Sequence, residues 1–121
     1  MARTGRRRVV VSGPPGSGKS TWVRARARRG DLVWDLDAVA SVIGGPPLSD
    51  ARRSRLSPLV LRAALAMREA LLGVVEAARD LGDAYAFVIV SDHDDAARCA
   101  ARLKADLVAI DPYHQVDEGV R

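Results

Sequence analysis

The chain has 121 residues, 48% of them apolar but only 4% aromatic. That suffices for one domain, residues 1–121, with a core of Ala, Val and Leu. No run of about 18 apolar residues occurs, so no membrane-spanning helix is expected, and the arginine-bearing start MARTGRRR lacks the apolar stretch of a secretory signal. The formal charge of +4 hides an asymmetry: residues 1–68 carry 14 Arg and Lys against 4 Asp and Glu, while residues 69–121 carry 5 against 11. Arg outnumbers Lys 17 to 2. Guanidinium forks suit phosphate oxygens, so a nucleic acid is one partner the basic half suits; a compositional habit without function is the other reading. A single cysteine, Cys99, excludes an internal disulfide and fits a reducing, cytoplasmic setting.

In chain order, residues 1–7 read as a solvated tail. Arg8 to Ser12 (RVVVS) is a β-branched run of the kind that forms a buried parallel strand. Gly13-Pro14-Pro15-Gly16-Ser17-Gly18-Lys19-Ser20 follows, with Thr21 after it. This is G-x-x-x-x-G-K-S, the phosphate-loop pattern, and its flanks agree with it: a strand before and a helix over Ser20 to Arg29 after. Gly13, Gly16 and Gly18 permit positive φ and close backbone approach. Successive N–H groups then make an anion nest at a positive helix end. Lys19 would reach the β- and γ-phosphates, and the Ser20 hydroxyl would take one Mg²⁺ position.

The run GPPGSGKSTWVR resembles the opening of the kinase branch of P-loop proteins. It looks closest to the 5′-kinase domain of phage polynucleotide kinase and to small phage and actinobacterial AAA-type ATPases. The clear resemblance covers residues 8–45, with a looser one over 85–112. It implies a three-layer α/β P-loop fold around a short, mostly parallel four-stranded sheet in the order 2-3-1-4. It also implies ATP and Mg²⁺ as ligands, and an ATP-dependent kinase or ATPase activity. The lid and fifth strand of such kinases are expected to be missing or reduced.

Gly30 is the expected end of the first helix. Asp31 to Asp37 (DLVWDLD) alternates as a second strand, with Leu32, Trp34 and Leu36 on one face and Val33, Asp35 and Asp37 on the other. Two carboxylates at the C-terminal end of a parallel strand lie where open α/β sheets bind ligands. The resemblance gives an Asp at this place the acceptor hydroxyl, and Asp37 fits it best, with Asp35 next; Asp37 is also a candidate N-cap for a helix over Ala38 to Ile43. Where the related kinases carry an Arg three residues on, this chain has Ala40. Gly44 to Ser57 breaks all periodicity and is basic through Arg52, Arg53 and Arg55.

Ser57 caps and Pro58 opens the longest expected helix, Leu59 to about Leu81, stopped by Gly82. Its core stripe is Leu61, Ala64, Leu65, Leu72 and Val75. Tyr85 to Ser91 (YAFVIVS) is the third strand. Asp92 behind it resembles the Asp of a Walker B strand, a candidate Mg²⁺ residue beside Ser20; Ser91 or Asp92 also caps the helix Asp94 to Lys104. On that helix Arg98 and Arg102 lie one turn apart; they are candidates to stand in for the lid arginines of the related kinases, or else surface residues that pair with Asp94, Asp95 or Asp106. Asp106 to Asp111 is the fourth strand.

The reading that results is a Mg-ATP-binding protein, with phosphoryl transfer to a hydroxyl of a nucleic acid 5′ end or a small molecule. The alternative is a nucleotide-binding module or slow ATPase.

Overall fold

The computed structural model describes residues 7–44 and 57–110. The chain runs β1 (Arg8–Ser12), α1 (Lys19–Arg26), β2 (Leu32–Trp34), α2 (Leu36–Ile43), α3 (Pro58–Ala77), β3 (Ala86–Val90), α4 (His93–Leu103) and β4 (Asp106–Ala109). The four strands form one sheet in the order β2-β3-β1-β4, and every pair is parallel. The expected order and direction are both found. β1 and β3 are central, and their apolar runs are buried on both faces, as strands covered by helices on two sides must be.

The pleat divides the core in two. Val10, Trp34, Val88 and Val90 pack with Leu72 and Val75 of α3 and Ala96, Cys99 and Leu103 of α4. Val9, Val11, Phe87, Ile89 and Val108 face the other way, against Trp22 and Val23 of α1. Burying each of these larger side chains stabilises the fold by about 1.5–3 kcal/mol. Leu32 shares the Trp34 side of the sheet, as the alternation predicts, while Leu36 reaches the same half of the core from the start of α2. Among the described residues no helix is long and apolar enough to cross a membrane.

Several element ends differ from expectation, each for a local reason. β2 stops at Trp34 rather than Asp37, because Asp35 accepts the Asp37 N–H at 3.1 Å and turns the chain into α2. The N-cap is therefore Asp35, and Asp37 lies in the first helical turn. α1 ends at Arg26, ahead of Gly30, where Ala27 turns extended. Asp31 then fixes the turn, its carboxylate accepting the Arg28 N–H at 2.7 Å and the Tyr85 N–H at 2.9 Å. α3 ends at Ala77, one turn short of Leu81. The Arg8 guanidinium reaches across from β1 to donate to the carbonyls of Val75 and Ala78, satisfying groups that a longer helix would have bonded internally. Within the expected α3 stripe Ala64, Leu72 and Val75 are buried, whereas Leu65 is exposed. The arginines at 52, 53 and 55, residues 1–6 of the expected tail and Asp111 lie outside the described residues. Arg7, expected in that tail, is instead half-buried at the start of β1, its carbonyl accepting the Ala86 N–H at 2.8 Å.

Candidate functional site

The loop at residues 13–20 leaves the C-terminal end of central strand β1 and enters α1. Gly16 and Gly18 have φ of 78° and 95°, a region costly for residues with a Cβ. Gly13 does not; what it needs is space. A Cβ there would lie 2.5 Å from Ser17 Oγ and 2.9 Å from the Ile110 carbonyl oxygen. The loop is thus wedged against the end of β4, where the Ile110 N–H donates to the Ser12 carbonyl at 2.7 Å. Pro14 and Pro15 are exposed, and Ser17 is buried with its N–H on the Pro14 carbonyl at 3.1 Å. Thr21 is exposed on the first turn of α1.

Lys19 is only 8% exposed. Its Nζ donates to the carbonyls of Gly13 at 2.7 Å and Pro14 at 2.9 Å. An ammonium has three donors, so this geometry fixes the group and leaves one for a ligand. Burial pushes the Lys19 ammonium below its ordinary 10.5, and the charges of Asp37 and then Asp35 offset part of that. A buried cation beside open backbone donors is a place for an anion.

The start of α1 strengthens that reading. The caps of α2, α3 and α4 (Asp35, Ser57 and Asp92) each accept a backbone N–H with a side-chain oxygen. Gly18, the cap of α1, has no side chain to do so, and no acid stands in the first turn. The N–H groups at this end are left for another acceptor.

Ser20 Oγ donates to Asp35 Oδ2 at 2.9 Å. The second oxygen of Asp35 holds the α2 turn, so both of its oxygens are engaged and its direction is fixed. Asp37 is exposed, and its carboxylate makes no hydrogen bond or ion pair among the described residues. Asp92 Oδ1 accepts the Asp94 N–H at 3.0 Å and caps α4, the capping role that the sequence offers for it. The structure therefore joins Lys19, Ser20, Asp35 and Asp37 around one loop, and the carboxylate on Ser20 is Asp35 rather than Asp92. The Ser20–Asp35 pair was not foreseen. Its signal is the D-x-D spacing, in which the first Asp can hold the N–H two residues on.

The donor set fits a hard divalent cation. A hydroxyl and a carboxylate lie together, and no cluster of three or more His, Cys, Asp or Glu occurs among the described residues. Comparison with protein-family models, curated proteins and solved structures finds no match to this chain.

Proposed function

We propose that the chain binds a nucleoside triphosphate, ATP, with Mg²⁺ at the 13–20 loop, and that it transfers the γ-phosphoryl group to a hydroxyl acceptor. The observation that carries this reading is the Lys19 ammonium held on the Gly13 and Pro14 carbonyls at the uncapped start of α1. In this reading, which also rests on the resemblance to P-loop kinases, loop N–H groups and Lys19 hold the β- and γ-phosphates, and Ser20 with Asp35 holds Mg²⁺. Bound there, Mg²⁺ would neutralise charge on the phosphate oxygens. Asp37, exposed and without a hydrogen bond or ion pair from its carboxylate among the described residues, is the group left to orient an acceptor hydroxyl or take its proton. Catalysis would then rest on positioning and charge stabilisation.

One observation favours a second reading, a nucleotide-binding module or slow ATPase. Ala40, at the place of the acceptor-side arginine, is buried in α2 and offers no grip on an acceptor phosphate.

The test of binding is thermal. With free Mg-ATP at about a hundred times Kd, stability should rise by about 2.7 kcal/mol, and the melting midpoint by several degrees. Lys19→Ala should lose most of that rise. An unmoved midpoint in the wild type at millimolar Mg-ATP refutes the proposal.

A further inference from the structure

We propose that the outer face of α3 is a self-association surface, and that the chain pairs with a second copy through antiparallel α3 helices about a two-fold axis level with residue 68. This inference is independent of what the 13–20 loop binds.

The core face of α3 is centred on Ala64, Arg68, Leu72 and Val75. At about 100° per residue, the diametrically opposite stripe is Leu59, Ala63, Ala66, Ala70, Gly73 and Ala77. A helix with one face on a core normally turns charge to water on the other. This one does not. The stripe holds no charged or hydrogen-bonding side chain, although all its members except the half-buried Gly73 are exposed. Leu59 is 70% exposed, and Val74 and Met67 on its flank are 66% and 46% exposed. The spacing alternates four and three residues, the period of a helix–helix seam, and its small side chains permit close approach of two backbones.

The charges on the flanks select the occupant. One flank is apolar: Val60, Met67 and Val74. The other is charged: Arg62, Glu69 and Glu76. An antiparallel pair with Leu59 opposite Ala77, Ala63 opposite Gly73 and Ala66 opposite Ala70 sets like flank against like. Arg62 then meets Glu76 of the second copy, twice by symmetry, while Met67 meets Met67 and Val60 meets Val74. A parallel pair would set the charged flank against the apolar one and form no ion pair. Arg62 has no ion pair among the described residues. Glu76 uses Oε1 for Arg102 at 3.2 Å, which leaves Oε2 for Arg62. Glu69, which would face its own copy at the axis, has its charge offset by Arg102 at 2.6 Å. The surface is thus complementary to itself under a two-fold operation, the commonest symmetry of homo-oligomers. One helix pair about 30 Å long lies at the small end of specific interfaces, so the dimer should be reversible and concentration-dependent.

Sedimentation equilibrium of the full chain tests this, with circular dichroism to establish that each variant is folded. The wild type should be a monomer–dimer mixture, and Ala70→Glu should be monomeric. Arg62→Glu and Glu76→Arg should each raise the dimer Kd by about tenfold, and the double variant should restore it to near the wild-type value. If Ala70→Glu fails to fold, the charge reversals at exposed positions decide the matter. A wild type that stays monomeric at its highest soluble concentration overturns the proposal. So does a dimer indifferent to Ala70→Glu, or a double variant without rescue. A monomer that instead sediments with phosphatidylcholine–phosphatidylglycerol vesicles, and loses this with Ala70→Glu, would assign the face to lipid and overturn it equally.

Discussion

Three side chains at one loop carry different burdens, and substitution should separate them. Lys19 is a buried cation whose ammonium lies below 10.5 because of desolvation. Between its folded value and 10.5 the unfolded chain binds more protons than the native one. Its contribution therefore makes stability rise with pH through that window, and the desolvation cost is fully present below it. Lys19→Met removes that group, so urea melts of the ligand-free pair should show the wild type gaining on the variant as pH climbs towards 10.5. A difference that stays flat with pH would contradict the burial of a charged lysine. Asp35 and Asp37 divide differently. Asp35→Asn keeps the cap but removes the charge beside Ser20, so ATP affinity should fall when Mg²⁺ is present and hardly change in EDTA. Asp37→Asn should leave ATP affinity within a few-fold and reduce acceptor-dependent transfer by ~10²–10⁴. Isotherms with and without Mg²⁺, alongside single-turnover transfer, read both. The sequence places both carboxylates on a second strand and makes Asp37 the helix cap, whereas the cap is Asp35. Alternation in DLVWDLD extends a strand on paper to residue 37, whereas the Asp35 side chain closes a helical turn over its own backbone, an effect that hydrophobic periodicity does not register.

At the scale of elements, the existence and order of strands and helices were legible, and several of their ends were not. β1 was read at its observed bounds, because a β-branched run next to Gly13 has few alternatives. α3 ends early because Arg8, some 67 positions away in the chain, binds its last carbonyls, and no local pattern reports such a contact. The same holds between α3 and α4. Arg98 pairs with Asp95 at 3.9 Å as expected, but Arg102 bridges Glu69 and Glu76 on α3 instead of acids near it in sequence. The stronger clamp is Arg68. Its guanidinium donates to both oxygens of Asp95 at 2.9 and 3.0 Å and to Cys99 Sγ at 2.7 Å. The hydrogen bonds from Arg68 hold the Asp95 carboxyl below its ordinary 3.8. Removing one partner of a largely buried pair strands the other, so Arg68→Met should cost about 2 kcal/mol at neutral pH, a figure reduced because Asp95 is partly exposed. Asp95's contribution is complete above 3.8 and is lost as pH falls through the depressed folded value. The wild type should therefore lose its advantage over Arg68→Met in strongly acidic urea melts. A cost that persists unchanged in acid would mean that Arg68 acts through packing alone.

On the scale of the whole molecule, the sheet order was legible because a resemblance over residues 8–45 supplied it and each strand is separated from the next by a helix. Parallel strands need such crossovers. The outer α3 stripe does not stand out in the sequence, because the core-facing stripe already accounts for the helical period. Charge is the property that belongs to the molecule entire. The basic half holds the loop, and on the described surface Arg24, Arg28 and Arg29 stand exposed at the end of α1. If the acceptor hydroxyl belongs to a nucleic acid, this half must meet its phosphates. Binding should then release counterions, with log K falling against log salt at about −0.7 per phosphate contacted on a single strand. Transfer of labelled γ-phosphate from ATP to a 5′-hydroxyl oligonucleotide should follow that salt dependence, whereas transfer to a small polyol should not. Replacing Arg24, Arg28 and Arg29 with Ala should make the slope shallower for the oligonucleotide and leave Mg-ATP binding intact, because among the described residues none of the three lies in the loop or is bonded to it by its side chain. Transfer to small hydroxyls alone, at a rate indifferent to salt, would remove nucleic acid as the acceptor and keep the kinase. Release of phosphate to water only, at ~10⁻³ s⁻¹ or slower as in an unassisted GTPase, would leave the chain a nucleotide-binding module whose basic half serves some other contact.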